Sequence, residues 1–324
     1  MIIVTGGAGF IGSAFVWRCN QAGISDIWVV DDLKTTDNWQ NLVALRYREY
    51  SHKTDFIDLV LNQKIDPQTI TAIVHMGACS ATTETDGHFL MENNYRYTRI
   101  LAEWALAHGI RFIYASSAAT FGNGEAGFAD DHDVIQHLRP INRYGYSKQF
   151  FDWVALENGW LDRLVGLKFF NVFGPNEAHK GDMKSVVCKA YSQILDSGEL
   201  KLFKSYKPDY ADGGQVRDFV YIKDVVEVMW WFLNNTVGGI FNVGTGKARS
   251  WNDLAGAVFS AMNKPTRITY IDMPDSLKNQ YQYFTEAPMD KLRQVGGPVP
   301  QTTLEAAVQD YVHAHLSQGK GLGC

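Results

Sequence analysis

Tyr144 and Lys148 stand four residues apart in the run Tyr144-Gly145-Tyr146-Ser147-Lys148, a spacing that puts both on one face of a helix, one turn from each other. An ammonium beside a phenol favours the phenolate and draws the tyrosine pKa toward the working pH. Such a tyrosine can accept the proton of a substrate hydroxyl while the adjoining carbon gives up hydride. Ser117, at the end of an apolar strand-like run, can hydrogen-bond the same hydroxyl. This chemistry oxidises a carbinol, so it needs a hydride carrier.

The place for that carrier is the run Gly6-Gly7-Ala8-Gly9-Phe10-Ile11-Gly12, which follows a strand signal and opens a helical one. Gly6, Gly9 and Gly12 permit a tight turn and let a pyrophosphate approach the helix N-terminus, where N–H groups and the helix dipole favour anions. Asp31 ends the next strand signal, where an acidic side chain can bind an adenosine ribose. Asp31 and Asp32 would repel a ribose 2′-phosphate unless Lys34 or Lys53 offset them.

Around these residues, short β-branched runs alternate with helix-period segments, the pattern of βαβ units and a parallel sheet. Strands are expected at Ile2–Thr5, Ile27–Asp31 and residues 72–76, 111–116 and 164–170. Helices are expected at 11–22, 55–62, 93–108 and 144–156. After Pro175 the pattern loosens, with helices expected at 184–196 and 251–262; strand signals at 219–222 and Gly239–Val243 should return to the large domain. The fold class is therefore α/β, a Rossmann-type doubly wound sheet with a smaller α/β substrate-binding domain. Residues 1–171 with 217–246 would form the first unit, and 172–216 with 247–324 the second.

With 324 residues, 46% hydrophobic and 20% charged, the chain can bury a large core, and its net charge of -5 offers no basic surface for nucleic acid. Cys19, Cys79, Cys188 and Cys324 lack metal-ligand spacing or a disulfide framework, so neither metal nor disulfide is expected. No signal-peptide pattern opens the chain, and its most apolar stretch, residues 225–233, is too short to span a bilayer. A cytoplasmic enzyme without membrane contact is expected.

Together these residues resemble the extended short-chain dehydrogenases, and among them the NAD-dependent epimerase/dehydratase family, over nearly the whole chain. Arg217-Asp218-Phe219-Val220-Tyr221 and Gly239-Ile240-Phe241-Asn242-Val243-Gly244 are similar to sugar-nucleotide enzymes in general. The segments Gly77-Ala78-Cys79-Ser80-Ala81-Thr82-Thr83-Glu84, Ser116-Ser117-Ala118-Ala119-Thr120, and Phe170-Asn171-Val172-Phe173-Gly174-Pro175 with His179-Lys180-Gly181 resemble members that epimerise ADP-activated heptoses at carbon 6. That resemblance implies a closed redox cycle in which a bound NADP removes hydride from carbon 6 and returns it to the other face. Tyr144 and Lys180 would be the acid/base groups on either side, with Lys148 and Ser117 in support.

Carried over position by position, the resemblance gives further cofactor contacts at Phe10, Ile11, Asp31, Asp32, Lys53, Met76, Gly77, Ala78, Cys79, Ser80, Asn93, Val172 and Lys180. Substrate contacts would be Ser117, Asn171, Asp182, Lys189, Phe203, Lys204, Ser205, Tyr206, Arg217 and Tyr281. Arg217 suits the diphosphate, since its planar fork binds phosphate oxygens in pairs; the alternative is a salt bridge to Asp218 or Asp212. Asn38 stands where the family has a lysine near the ribose, so NAD stays possible beside NADP. Asp182, Lys189 and the segment 205–216 also depart from the family pattern, on the substrate side. The resemblance further implies a homo-oligomer, commonly a pentamer, that supplies heptose for lipopolysaccharide core. The competing readings are another sugar-nucleotide epimerase or dehydratase, such as a UDP-hexose 4-epimerase, and a non-catalytic nicotinamide-binding protein.

Overall fold

The computed structural model describes residues 1–33, 35–278 and 281–324; Lys34, one of the two lysines expected near the ribose, lies outside the described residues. Its strands are β1 (Ile2–Thr5), β2 (Ile27–Asp31), β3 (Glu49–His52), β4 (Ala72–His75), β5 (Arg111–Ser117), β6 (Leu164–Phe169), β7 (Asn171–Phe173), β8 (Leu200–Phe203), β9 (Val216–Tyr221), β10 (Gly239–Val243), β11 (Ala248–Ser250) and β12 (Ile268–Ile271). Seven of them form one all-parallel sheet in the order β10-β6-β5-β4-β1-β2-β3.

Successive strand residues point to opposite faces, and here both faces are covered. Ile2, Val4, Val29, Val74 and Ile113 pack into one apolar cluster, while Ile3, Val30, Ile73 and Phe112 pack into the other. Each such side chain contributes on the order of 1.5–3 kcal/mol when fully buried. This two-sided burial is why the central strands read as continuous apolar runs.

The order in which the chain adds strands reverses between the parallel neighbours β1 and β4, which open a crevice at their carboxyl ends, the usual ligand position in such sheets. Thr5 leads there into Gly6, and His75 into Met76 and Gly77.

The two late strand signals divide between sheets. β10 is the edge strand of the main sheet, but β9 is not part of it: it pairs parallel with β7 and antiparallel with β11 in a separate three-stranded sheet. A parallel pair β8 and β12 makes a further small sheet. The apolar stretch after β9 is the helix Ile222–Asn234, whose buried face packs on the helix Phe10–Gln21. Among the described residues no helix is long and apolar enough to cross a membrane, and no cluster of His, Cys, Asp and Glu could hold a metal ion.

Candidate active site

The glycine turn is built by backbone conformations that side chains would block. Gly6 has φ +65°, and a Cβ on it would lie 2.6 Å from the Gly77 nitrogen, so the two strand ends meet only because both residues are glycine. A Cβ on Gly12 would sit 2.0 Å from the Gly6 carbonyl oxygen. Gly9 begins the helix Phe10–Gln21 without any side-chain cap, which leaves its first N–H groups facing the crevice as an anion cradle. Asp31 steadies the turn, its Oδ2 accepting from the Ala8 nitrogen at 2.7 Å and its Oδ1 from the Asp32 nitrogen at 2.7 Å. Burial nevertheless pushes its carboxyl upward.

Beyond the turn lies a cavity of about 250 Å³ lined by Asp31, Asp32, Lys53, Cys79 and Asn93. Lys53 Nζ donates to Asn93 Oδ1 at 3.0 Å and lies 3.6 Å from Asp32 Oδ2. Phe89 and Tyr97 also line it, flat aromatic faces that the sequence did not single out. Asn93 and Asn94 sit on a π-helical segment, Met91–Arg96, that overlaps the start of the helix expected at 93–108. This widened turn lets Asn94 accept from the Cys79 nitrogen (2.8 Å) and donate to Ser147 Oγ (3.0 Å).

The candidate reaction centre is a cavity of about 540 Å³. Gly6, Gly9, Phe10, Ile11 and Gly12 form one wall, and Met76, Gly77, Ala78 and Ser80 another. Ser117, Tyr144, Lys148, Asn171, Val172 and Lys180 also line it. Ser117 ends β5, and Tyr144 and Lys148 lie one turn apart on the helix Arg143–Glu157, which Asn142 caps by accepting from the Gly145 nitrogen at 2.7 Å. The glycine cradle, the acidic end of β2 and this triad line connected space whose residues would fit a dinucleotide.

The electrostatics differ from expectation. Burial pushes the Tyr144 hydroxyl up, and the group that draws it back is Ser117 through a hydrogen bond. Lys148 instead donates to the Ala115 carbonyl at 2.8 Å, and burial lowers its ammonium to about 8. Lys148 is therefore turned along the strand end rather than onto the phenol.

Beneath this triad is a buried network that sequence reading missed. Asp152, one turn past Lys148, accepts from Tyr114 (2.9 Å), Ser116 (2.7 Å) and Lys168 (2.7 Å), and Lys168 also donates to Thr120 at 2.6 Å. Asp152 continues the four-residue spacing of Tyr144 and Lys148, a signal that was available.

Lys180 enters from the other half of the chain on the short helix Ala178–Met183. Its Nζ lies 5.3 Å from the centre of the Phe10 ring, and burial lowers its pKa against the pull of Glu177. Neighbouring His179 is pushed down to about 4 by burial and meets Asn41 at 3.2 Å. Asn41 also donates to the Ala8 and Asn176 carbonyls, at 2.9 and 3.0 Å, so it ties the glycine turn to the Lys180 loop. Asn38, one turn earlier, is buried and donates to the Asp32 carbonyl at 3.3 Å.

The expected substrate residues divide. Lys189, Phe203 and Tyr281 line a third cavity of about 600 Å³ that shares Trp251 and Val186 with the reaction centre. Trp251 had not been singled out, though it joins the two spaces. Arg217 is buried between the Trp251 and Tyr281 rings and donates to the Val216 and Gln282 carbonyls; its expected alternative partner Asp218 is occupied by Thr245, Gly246 and Ala287. Asp212 accepts from the Ser205 nitrogen. Lys204 and Tyr206 turn to Asp272, and Asp182 is exposed, its carbonyl accepting from Lys189 at 2.5 Å.

The model of the NAD dependent epimerase/dehydratase family matches residues 2–244. The chain belongs to that family. It is 60% identical to an ADP-L-glycero-D-manno-heptose-6-epimerase of Nitratidesulfovibrio vulgaris, over 98% of each chain. Its identity to the enzyme of that name from Fusobacterium nucleatum is 49%, again over 98% of each. Among solved structures it is similar to the Helicobacter pylori ADP-L-glycero-D-manno-heptose-6-epimerase, with TM-score 0.81, 28% identity and coverage of 96% of this chain and 94% of that one. The Thermotoga maritima UDP-glucose 4-epimerase, at 22% identity and TM-score 0.80 over 98% and 99%, shares the fold of the family.

Proposed function

We propose that the chain epimerises ADP-manno-heptose at carbon 6, interconverting the D-glycero and L-glycero forms. Tyr144 takes the proton of the carbon 6 hydroxyl on one side, with Ser117 donating to the developing oxyanion. A bound nicotinamide supplies the hydride acceptor, and afterwards the donor, so that no net redox change results. On return of the hydride to the opposite face, Lys180 gives a proton to the new alkoxide, and the roles exchange in the reverse direction. Lys148, bonded to the Ala115 carbonyl at the end of β5, would help hold the carrier beside Tyr144 when it is bound.

This reading rests on one observation above all: Lys180, from beyond Pro175, lines the same cavity as Tyr144, Lys148 and Ser117. A second proton donor opposite the tyrosine suits inversion, in which the alkoxide forms on the other face, and has no task in simple oxidation. We read residues 1–171 with 217–246 as the unit that holds the dinucleotide, and 172–216 with 247–324 as the unit that holds the ADP-sugar. Lys53 beside Asp32 favours NADP as the carrier. The enzyme would work in the cytoplasm as a homo-oligomer and feed lipopolysaccharide core assembly.

The test is incubation of the purified protein with ADP-D-glycero-D-manno-heptose and proton NMR of the sugar. Appearance of the L-glycero form supports the reading. Its absence, alongside turnover of a UDP-hexose, assigns the chain to 4-epimerisation instead.

A further inference from the structure

Glu177 is fully buried, yet no step above uses it. Its carboxylate accepts from the Gly174 nitrogen at 3.3 Å, the Ser185 nitrogen at 2.5 Å and the Ser185 hydroxyl at 2.6 Å. These partners are the two ends of the loop 174–185, so one side chain closes its neck. The same Ser185 caps the helix Val186–Ser197 by accepting from the Cys188 nitrogen at 3.2 Å. Lys180 stands inside the closed loop, its own nitrogen bonded to the Glu177 carbonyl at 3.0 Å.

An unpaired carboxylate in such a place is costly unless donors and a cation surround it. From these contacts we propose that Glu177 is the positioning residue of Lys180: it closes the loop that carries the amine and places a buried carboxylate on that same loop. The charged and titratable groups facing the pair are His179 and Lys184 beside Lys180, with Tyr311 from the segment Tyr311–His315 and Cys188 from the helix Val186–Ser197 against Glu177, Cys188 itself being near Lys184 and Lys189. Burial raises the Glu177 carboxyl, while Ser185, Lys180 and Gly174 draw it back. This inference deepens the role assigned above to Lys180.

Competitive acylation of lysines followed by mass spectrometry reads the titration midpoint of Lys180 without needing turnover. In Glu177→Gln the midpoint is expected to move to lower pH while that of Lys148, which faces Asp152, stays in place. Glu177→Asp, which keeps the charge, should hold the Lys180 midpoint near that of the parent while lowering kcat more than it raises KM. A Lys180 midpoint unmoved in a folded Glu177→Gln protein, or both lysine midpoints moving together, overturns the proposal. Because labelling is independent of the sugar, a failed heptose assay with a selective Lys180 shift leaves the positioning role standing and removes only the functional reading.

Discussion

Lys148 Nζ lies 2.8 Å from the carbonyl oxygen of Ala115, bonded to the end of β5 and not to the phenol of Tyr144. The lysine is nearly fully buried and its ammonium lowered to about 8 by burial, so its charge is maintained at a cost to the fold.

That cost gives a stability prediction. Because the folded pKa lies below the ordinary value of 10.5, the unfolded chain binds the extra proton between about pH 8 and 10.5, and stability from this group rises with pH across that window. At pH 7 the full penalty applies, on the order of 3 kcal/mol, against which the bond to Ala115 returns roughly 1–2 kcal/mol. Lys148→Met should therefore be more stable than the parent by about 1 kcal/mol at pH 7, and lack turnover. Urea unfolding of both proteins without added nicotinamide should show the gap narrowing from pH 8 upward.

Gly6 and Gly77 meet backbone to backbone at the switch point. Gly6→Ala places a Cβ 2.6 Å from the Gly77 nitrogen at φ +65°, which should cost about 1–3 kcal/mol. Thermal unfolding should register the loss, and desalting should release nicotinamide that the parent retains.

The pair Asp152 and Lys168 is buried and hydrogen-bonded on both sides. Removing one partner, as in Asp152→Asn, should destabilise by about 3–5 kcal/mol, and adding Lys168→Met should recover much of that. A double-mutant cycle by denaturant unfolding measures the coupling, and additive losses would contradict it.

Lys53 bridges Asn93 and Asp32 at the ribose end. Lys53→Met should weaken NADP by about tenfold, about 1.4 kcal/mol, and leave NAD nearly unchanged, as read by titration calorimetry. Equal loss for both would assign the lysine a structural role.

Much of this site was legible before any coordinates. The glycines, Asp31, Ser117 and the Tyr144 and Lys148 pair are local patterns, and β1, β2 and β10 fall at their expected bounds because mostly buried strands leave short, predominantly apolar runs. The short strands β3, β7, β8, β11 and β12 were not legible. They have three or four residues each and lie at sheet edges or in small sheets, too short for an alternation to stand out from the surrounding chain. The turn of Lys148 toward Ala115, the clasp of Glu177 and the junction at Trp251 are set by contacts between residues far apart in sequence. The same holds for β9, whose partners come from β7 and β11.

Central to the account is the amine at position 180 acting opposite Tyr144. Proton NMR of each carbon 6 epimer of ADP-manno-heptose, incubated separately with the parent and with Lys180→Met, tests it most directly. The parent should bring both samples to one mixture, while Lys180→Met, still holding nicotinamide, should leave each epimer as supplied, with a rate lower by roughly 10²–10⁴-fold. Equilibration by Lys180→Met at the parental rate would contradict it.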